Sequence, residues 1–236
     1  PQDTTATCDS LDVYISATLD KPYDSSFEMN ATLKSNQQVG PGMTYSIAKR
    51  NAFRGGEKVA WKLFGSYEWQ LHTSGSGKSS LFNSYELGTE LSLEFPRPII
   101  PFFNQRRLRR SYTQATTTFA LSGDWKNRAN FFQMVTIGAD VTYKWSRYSN
   151  ARHELTPLSL EFDKLIHKTT AFDSIMTANP ALYMSMRDQF IPSLSYTFTY
   201  ASAAGHRNPV WLQVHLKEAG NVLSGFYAAT GQGFNQ

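Results

Sequence analysis

Apolar and polar residues alternate along most of the chain, which is typical of β-strands whose two faces meet different surroundings. The first alternation covers residues 11–19 and stops at Lys21-Pro22, so we treat it as separate from the series that follows. That series predicts about nine strands, centred on residues 27–34, 43–47, 59–69, 85–95, 119–125, 135–145, 158–162, 194–200 and 210–216. Helical spacing is nearly absent. The pattern therefore predicts an all-β fold.

Two classes of connection alternate between these strands, as in an up-and-down barrel that crosses a membrane. On one side lie a flexible loop at residues 73–78 and a long insert at residues 164–189, in which residues 179–187 are compatible with a helix. The other side has a turn at residues 49–57, and residues 96–111 form an exceptionally long connection there. Long inserts in a compact sheet are usually functional or cover something.

The placement of aromatic residues favours a transmembrane antiparallel barrel over a soluble β-sandwich, although both folds alternate. In a membrane barrel, aromatic residues gather near the strand ends, where the strands cross the two interfaces. Eight aromatic residues at apolar positions of the alternation lie near predicted strand ends: Trp69, Tyr85, Trp125 and Phe131 beside one class of loops, and Phe95, Tyr143, Trp145 and Tyr200 beside the other. Several strands also reach the ~9–11 residues that span a bilayer. A soluble sandwich that acts as a binding module is the alternative.

Composition excludes several other classes of protein. The 236 residues carry a net charge of +4, and 18% are charged and 14% aromatic. The chain is thus too apolar to stay disordered and too weakly charged for a coiled coil. Cys8 is the single cysteine, which excludes an internal disulfide and a cysteine-based zinc site. No apolar run approaches the ~20 residues of a membrane helix, whereas membrane strands remain possible.

The polar positions of the alternating strands carry charges of both signs. A water-filled or plugged lumen accepts such charges, whereas a closed apolar core does not. The predicted lumen charge network consists of Lys58, Lys62, Glu68, Glu86, Glu90 and Glu94. Successive glutamates from Glu86 to Glu94 are ~13 Å apart along the strand, too far for the paired carboxylates of a glycosidase. We expect them to pair with Lys58 or Lys62 on the adjacent strand.

Other motifs do not support an enzyme, a cofactor, a metal site or nucleic-acid binding. Residues 72–79 end like a phosphate-binding loop, but His72 stands where the first glycine is needed, and the segment joins two strands. The basic run at residues 106–110 has no basic helix around it, so we interpret it as a charged turn that keeps its loop in water. The five histidines are scattered, and no catalytic residue is predicted.

One turn carries a recognisable signature, the sequence Arg50-Asn51-Ala52-Phe53-Arg54-Gly55-Gly56-Glu57 between the second and third strands. It is similar to the Arg-Asn-x-Phe-Arg-Gly turn of the BamA/TamA family of outer-membrane assembly factors. Further stretches resemble the TamL branch of that family, at residues 94–97, 99–102, 155–160, 179–191, 208–211 and 217–221. These matches extend over most of the chain.

In that family, periplasmic POTRA domains precede a sixteen-stranded barrel. The resemblance implies that residues 1–21 are the end of the last POTRA domain, residues 22–26 a hinge, and residues 22–236 the N-terminal part of the barrel, with about nine strands. The turn at residues 50–57 would face the periplasm, and the insert at residues 164–189 the cell exterior. The family's Arg-Gly-Phe/Tyr lumen motif has no counterpart here, so we expect the remaining strands to lie beyond this sequence.

The function that the resemblance implies is assembly of client β-barrels in the bacterial outer membrane, or protein translocation, without covalent catalysis. The first barrel strand pairs weakly with the last, so this seam opens and offers an unpaired edge to the client. The gate strand comprises Phe27, Met29, Ala31 and Leu33, facing lipid, and Glu28, Asn30, Thr32 and Lys34, facing the lumen. Partners would be unfolded outer-membrane proteins, membrane lipids and accessory assembly subunits. A passive porin or transport channel is the alternative with the same fold.

Overall fold

The computed structural model describes residues 13–14, 16, 21–33, 38–70, 84–100, 114–128, 131–148, 150–202 and 208–219. These residues form one open sheet of nine antiparallel strands, whose order in the sheet follows the chain. The strands are β1 (Tyr23–Leu33), β2 (Gln38–Lys49), β3 (Lys58–Gln70), β4 (Ser84–Phe95), β5 (Gln114–Arg128), β6 (Phe132–Tyr148), β7 (Ala151–Lys168), β8 (Gln189–Ala201) and β9 (Trp211–Ala219). The all-β prediction and its series of nine strands are confirmed.

The first strand begins earlier than the sequence pattern indicates. Tyr23 is already paired with Lys49, so four of the five residues expected to form a hinge belong to β1. Serines interrupt the apolar–polar alternation there. The Ser26 hydroxyl lies 2.7 Å from that of Ser46 on β2. The last residue of the predicted gate strand, Lys34, and six of the nine residues 11–19 lie outside the described residues.

Strand β7 is much longer than the predicted segment at residues 158–162, and at its N-terminal end a β-bulge interrupts the alternation. Thr156 pairs with Ser195 of β8, and the next described pair is Ser159 with Ser193. Two residues on β7, Pro157 and Leu158, therefore oppose one on β8, Leu194, and Pro157 has no N–H to donate. The bulge shifts the alternation by one residue, so a strictly period-two pattern ends there.

The two faces of the sheet differ sharply in chemistry. Residues that are paired across neighbouring strands point to the same face, so the register assigns each side chain. The apolar face carries Phe27, Tyr45, Leu63, Leu87, Leu91, Leu121, Trp125, Ile137, Leu160 and Phe190. The polar face carries Glu28, Lys58, Lys62, Glu68, Glu86, Glu90, Glu94, Asp124, Lys126 and Arg128.

The apolar face is not covered by a second layer in the part of the chain that the structure describes. Leu87, Leu121 and Ile137 lie in the middle of their strands and are 54%, 58% and 55% exposed. The buried large hydrophobic side chains of the described residues are instead Phe172 and Met176, which belong to a helix. The sheet therefore has no hydrophobic core of its own.

Two short helices lie in the insert between β7 and β8, namely α1 (Thr170–Ala178) and α2 (Pro180–Ser185). The Thr169 hydroxyl caps α1 by accepting from the Phe172 amide, and Asn179 caps α2 in the same way. Phe172 packs on Phe132, with 5.1 Å between ring centroids. The predicted helical stretch at residues 179–187 contains α2, whereas α1 was not predicted. No helix among the described residues is long and apolar enough to cross a membrane.

Candidate functional site

The turn between β2 and β3 has a defined conformation that explains its sequence. Asn51, Arg54 and Gly56 have positive φ values of 53°, 64° and 85°, a region that asparagine and glycine tolerate best. The Asn51 side-chain oxygen accepts a hydrogen bond from the Gly56 amide at 2.9 Å, and the Ala52 amide donates to the carbonyl of Glu57. Phe53 points outward and is 67% exposed. The turn is thus closed by its own side chains.

Glu57 connects this turn to the connection that follows β4. Its carboxylate is buried and accepts from the Gly55 amide at 2.9 Å, while the Arg97 guanidinium lies 3.4 Å from its other oxygen. Arg97 also lies over the Phe95 ring, 5.6 Å from the centroid. The turn and the β4–β5 connection therefore meet at one ion pair on the rim of the sheet.

Residues 96–100, here named the rim strap, run across β5 and β6 at the lower end of the sheet. The lower end is the one that carries the turn at residues 50–57, and the upper end is the opposite one. The Thr117 hydroxyl of β5 accepts from the Ile99 amide at 2.9 Å and donates to the Arg97 carbonyl at 3.0 Å. The Tyr143 hydroxyl of β6 donates to the Ile99 carbonyl at 3.0 Å. Thr117 has no exposed surface, because the strap covers it. The length of the connection at residues 96–111 was evident from the sequence, whereas these contacts were not predicted.

Strand β1, which contains most of the predicted gate strand, pairs with β2 along its length, and no described strand pairs with its other edge. Phe27, Met29, Ala31 and Leu33 lie at apolar-face positions, and Glu28, Asn30 and Thr32 at polar-face positions. All of β1 is exposed. Its lower end is held by the Arg50 amide, which donates to the Pro22 carbonyl at 2.8 Å, and by Arg50 within 3.7 Å of the Asp24 carboxylate.

The register brings the predicted polar-face charges together in part. Lys58 lies opposite Glu94, and Lys62 opposite Glu90, whereas Glu86 lies opposite Ser66. The ion pairs within 4 Å that the structure describes on this part of the sheet involve other bases. Lys126 of β5 lies 3.7 Å from Glu86 and 3.6 Å from Asp124, and Arg128 lies 2.9 Å from Glu68.

Lys126, Arg128 and Asp124 were thus missed by sequence reasoning. All three residues lie at polar-face positions of β5. Extending the predicted strand from residue 125 to residue 128 would therefore have included the two bases, Lys126 and Arg128. The missing information was the register. A single sequence does not tell which residues of β5 oppose Glu86 and Ser84 of β4.

A metal site is not evident in the described part of the chain, where no group of three or more His, Cys, Asp or Glu side chains is arranged to hold an ion. Comparison with protein-family models, curated proteins and solved structures finds no match. The candidate site is therefore defined by geometry: an edge of β1 that no described strand pairs with, a turn beside it that is closed by its own hydrogen bonds, a rim strap on the apolar face and a charged polar face.

Proposed function

We propose that this chain is the N-terminal part of an outer-membrane β-barrel whose apolar face contacts lipid. The exposed apolar face carries this proposal. A water-soluble protein rarely leaves a contiguous apolar patch larger than a few hundred Å² uncovered, and here apolar side chains are exposed from β1 to β9. A soluble sandwich would place a second layer over them. In a bilayer, the hydrocarbon takes the place of that layer.

The height of the apolar face supports a membrane location. At its lower end, Thr117 and Tyr143 form a polar row that pairs across β5 and β6. At its upper end, Asn127 pairs with Gln133. Ten residue steps separate Thr117 from Asn127 along β5, which is about 34 Å at ~3.4 Å per residue. With a tilt of ~40°, the apolar band is about 26 Å tall, close to the ~25 Å of outer-membrane barrels.

Two pairs of polar groups on the apolar face are hydrogen-bonded within the protein, as hydrocarbon requires. The Trp61 indole donates to the Thr89 hydroxyl at 2.9 Å. The His153 ring nitrogen Nδ1 and the Tyr196 hydroxyl are 2.8 Å apart. Both pairs join neighbouring strands on the apolar face. An aqueous surface would not need such pairing, because water satisfies these groups.

The function that we propose is assembly of client β-barrels, as in the BamA/TamA family, and the sequence motifs favour its TamL branch. The edge of β1 would template a client strand through its backbone groups. The turn at residues 50–57 would hold the lower end of β1 in place through Arg50, Pro22 and Asp24. Clients would be unfolded outer-membrane proteins, reached from the periplasm with POTRA domains and accessory subunits. The reaction needs no cofactor and no nucleic acid.

A disulfide that locks the seam tests this function. In full-length protein with Cys8→Ser, one cysteine replaces a residue of β1 and a second replaces its neighbour on the last strand of the barrel. The locked form should lose client insertion and regain it on reduction. The matched control is Ser26→Cys with Ser46→Cys, which joins β1 to β2 where the two hydroxyls are 2.7 Å apart and leaves the seam free.

Full client insertion by the disulfide-locked form would overturn the proposal that the seam acts as a lateral gate. The passive-channel alternative has its own signature in the same experiment. A porin should conduct steadily in planar bilayers whether or not the seam is locked, and it should not insert clients in either state. Insertion that depends on an open seam separates the two functions.

A further inference from the structure

We propose that the rim strap, residues 96–100, lies on the lipid side of the sheet and binds the phospholipid headgroup layer at the periplasmic surface of the membrane. The strap would thereby fix the depth at which the protein sits. This inference rests on the proposed membrane barrel and adds a surface and a partner to it.

The hydrogen bonds of the strap place it on the apolar face. Thr117 is paired with Phe95 and Tyr143, and it has the parity of Phe119 and Leu121 on β5. Its hydroxyl and that of Tyr143 both hold the strap backbone at Ile99. Thr117 is completely covered. The strap therefore lies outside the sheet, on the side proposed to face lipid, and not on the charged side.

The chemistry of the strap is that of an interface. Irregular backbone that faces lipid does not occur within the hydrocarbon region, because its N–H and C=O groups would lack partners there. Ile99 and Ile100 are half-buried, and Arg97 has 41% of its side chain exposed while it stacks on Phe95. A guanidinium has five N–H donors and binds phosphate oxygens well. Apolar, aromatic and cationic groups together match the headgroup layer.

The geometry also predicts depth. Four residue steps separate Thr117 from Leu121 on the same face of β5, which at ~3.4 Å per step and a tilt of ~40° is about 10 Å along the membrane normal. The strap should therefore lie at the headgroups, whereas Leu121 lies in the acyl chains. The polar-face neighbour Ser122 should meet water.

Spin labels in the full-length protein test this placement. With Cys8→Ser, single cysteines at Ile100, Leu121 or Ser122 carry a nitroxide, and the protein is inserted into vesicles of phosphatidylethanolamine and phosphatidylglycerol. Collision rates with oxygen, which concentrates in the acyl chains, and with a water-soluble nickel complex give the depth of each label. We expect Leu121 in the acyl chains, Ser122 in water and Ile100 about 10 Å shallower than Leu121.

Each outcome decides between the two proposals. If Ile100 is as accessible to nickel as Ser122 while Leu121 remains in lipid, or if Ile100 is as deep as Leu121, the strap proposal is overturned and the barrel stands. If Leu121 is as accessible to nickel as Ser122, the membrane barrel itself is overturned.

A variant that releases the strap sharpens the test. Thr117→Val removes the two hydrogen bonds that the Thr117 hydroxyl makes to the strap, so the label at Ile100 should move toward water while that at Leu121 stays in lipid. Thr118→Val is the matched control, because Thr118 is the next residue on the polar face, opposite Glu94. Tyr143→Phe, which removes one bond to the strap, serves if Thr117→Val does not insert. An unchanged depth at Ile100 in both strap variants would overturn the anchoring role of these hydroxyls.

Discussion

Arg128 and Glu68 form an ion pair between two strands that are not neighbours in the sheet. The guanidinium of Arg128 on β5 donates to the Glu68 carboxylate on β3 at 2.9 Å. Ser84 of β4 lies between them in the register and is itself buried. A small residue on the middle strand thus allows long side chains to meet over it. The pair joins three strands at the upper end of the polar face.

Removing Arg128 should destabilise this end of the sheet. Arg128→Met keeps about the length of the side chain but removes the guanidinium that lies 2.9 Å from the carboxylate of Glu68, a residue that is 6% exposed. We expect a loss of about 1–3 kcal/mol in the free energy of unfolding. Urea unfolding of the inserted protein measures it. Glu68→Gln should cost less, because the amide needs no counter-ion. Equal stability of Arg128→Met and the parent would contradict a stabilising role for the pair.

Gly56 should not tolerate a side chain, because of its backbone conformation. Its φ is 85°, and an added Cβ would lie 3.1 Å from the Pro96 side chain. Gly56→Ala should therefore cost about 1–2 kcal/mol. Gly65→Ala is the matched control, since its Cβ would meet only the Glu86 carbonyl, at an ordinary 3.7 Å. Unfolding midpoints of the two variants that coincide would count against the turn conformation.

Gly88 on the polar face makes room for the Phe64 ring. A Cβ at Gly88 would lie 2.1 Å from the nearest ring atom, so Gly88→Ala must displace Phe64, at a cost of about 1–3 kcal/mol. Combining Gly88→Ala with Phe64→Ala removes the clash, so the cost of the double variant should be smaller than the sum of the single costs. Strict additivity in urea unfolding would show that the ring does not lie over Gly88.

The Glu57–Arg97 pair should contribute more to stability than an exposed pair of the same type. Arg97→Met leaves a carboxylate that is almost completely buried, with the Gly55 amide as its described donor, and we expect a loss of about 1–3 kcal/mol. The comparison variant is Lys144→Met, whose pair with Glu154 is 47% and 41% exposed and should contribute about 1 kcal/mol or less. Unfolding in urea should rank the two variants in that order, and the reverse ranking would contradict the buried pair.

The fold was predictable from the sequence because each strand has one apolar and one polar face, and period-two alternation records this directly. The strand ends were less predictable. Polar residues near Tyr23 and the bulge at Pro157 interrupt the alternation, although hydrogen bonding continues through both. Before Phe27, β1 has one apolar residue, Tyr23, and before its bulge β7 has only Ala151 and Leu155, so the alternation carries little signal there.

The candidate site was predictable only in part, because its contacts join residues that are distant in sequence. The turn at residues 50–57 was found because its conformation depends on neighbouring residues. The contacts of Thr117 were not predicted, because a polar residue at an apolar-face position does not indicate its partner until the position of the strap is known. Arg97 and Thr117 are twenty positions apart, and their contact depends on the path of the intervening chain.

We propose above all that this chain is part of a closed membrane barrel. The intact mass and the electrophoretic mobility of the protein test this proposal most directly. Protein extracted from the outer membrane should have a mass well above the 26.6 kDa of this chain and should migrate differently before and after boiling, because a closed barrel resists detergent until heated. A soluble species of 26.6 kDa with the same mobility before and after boiling would contradict the barrel and favour a sheet that is covered without lipid.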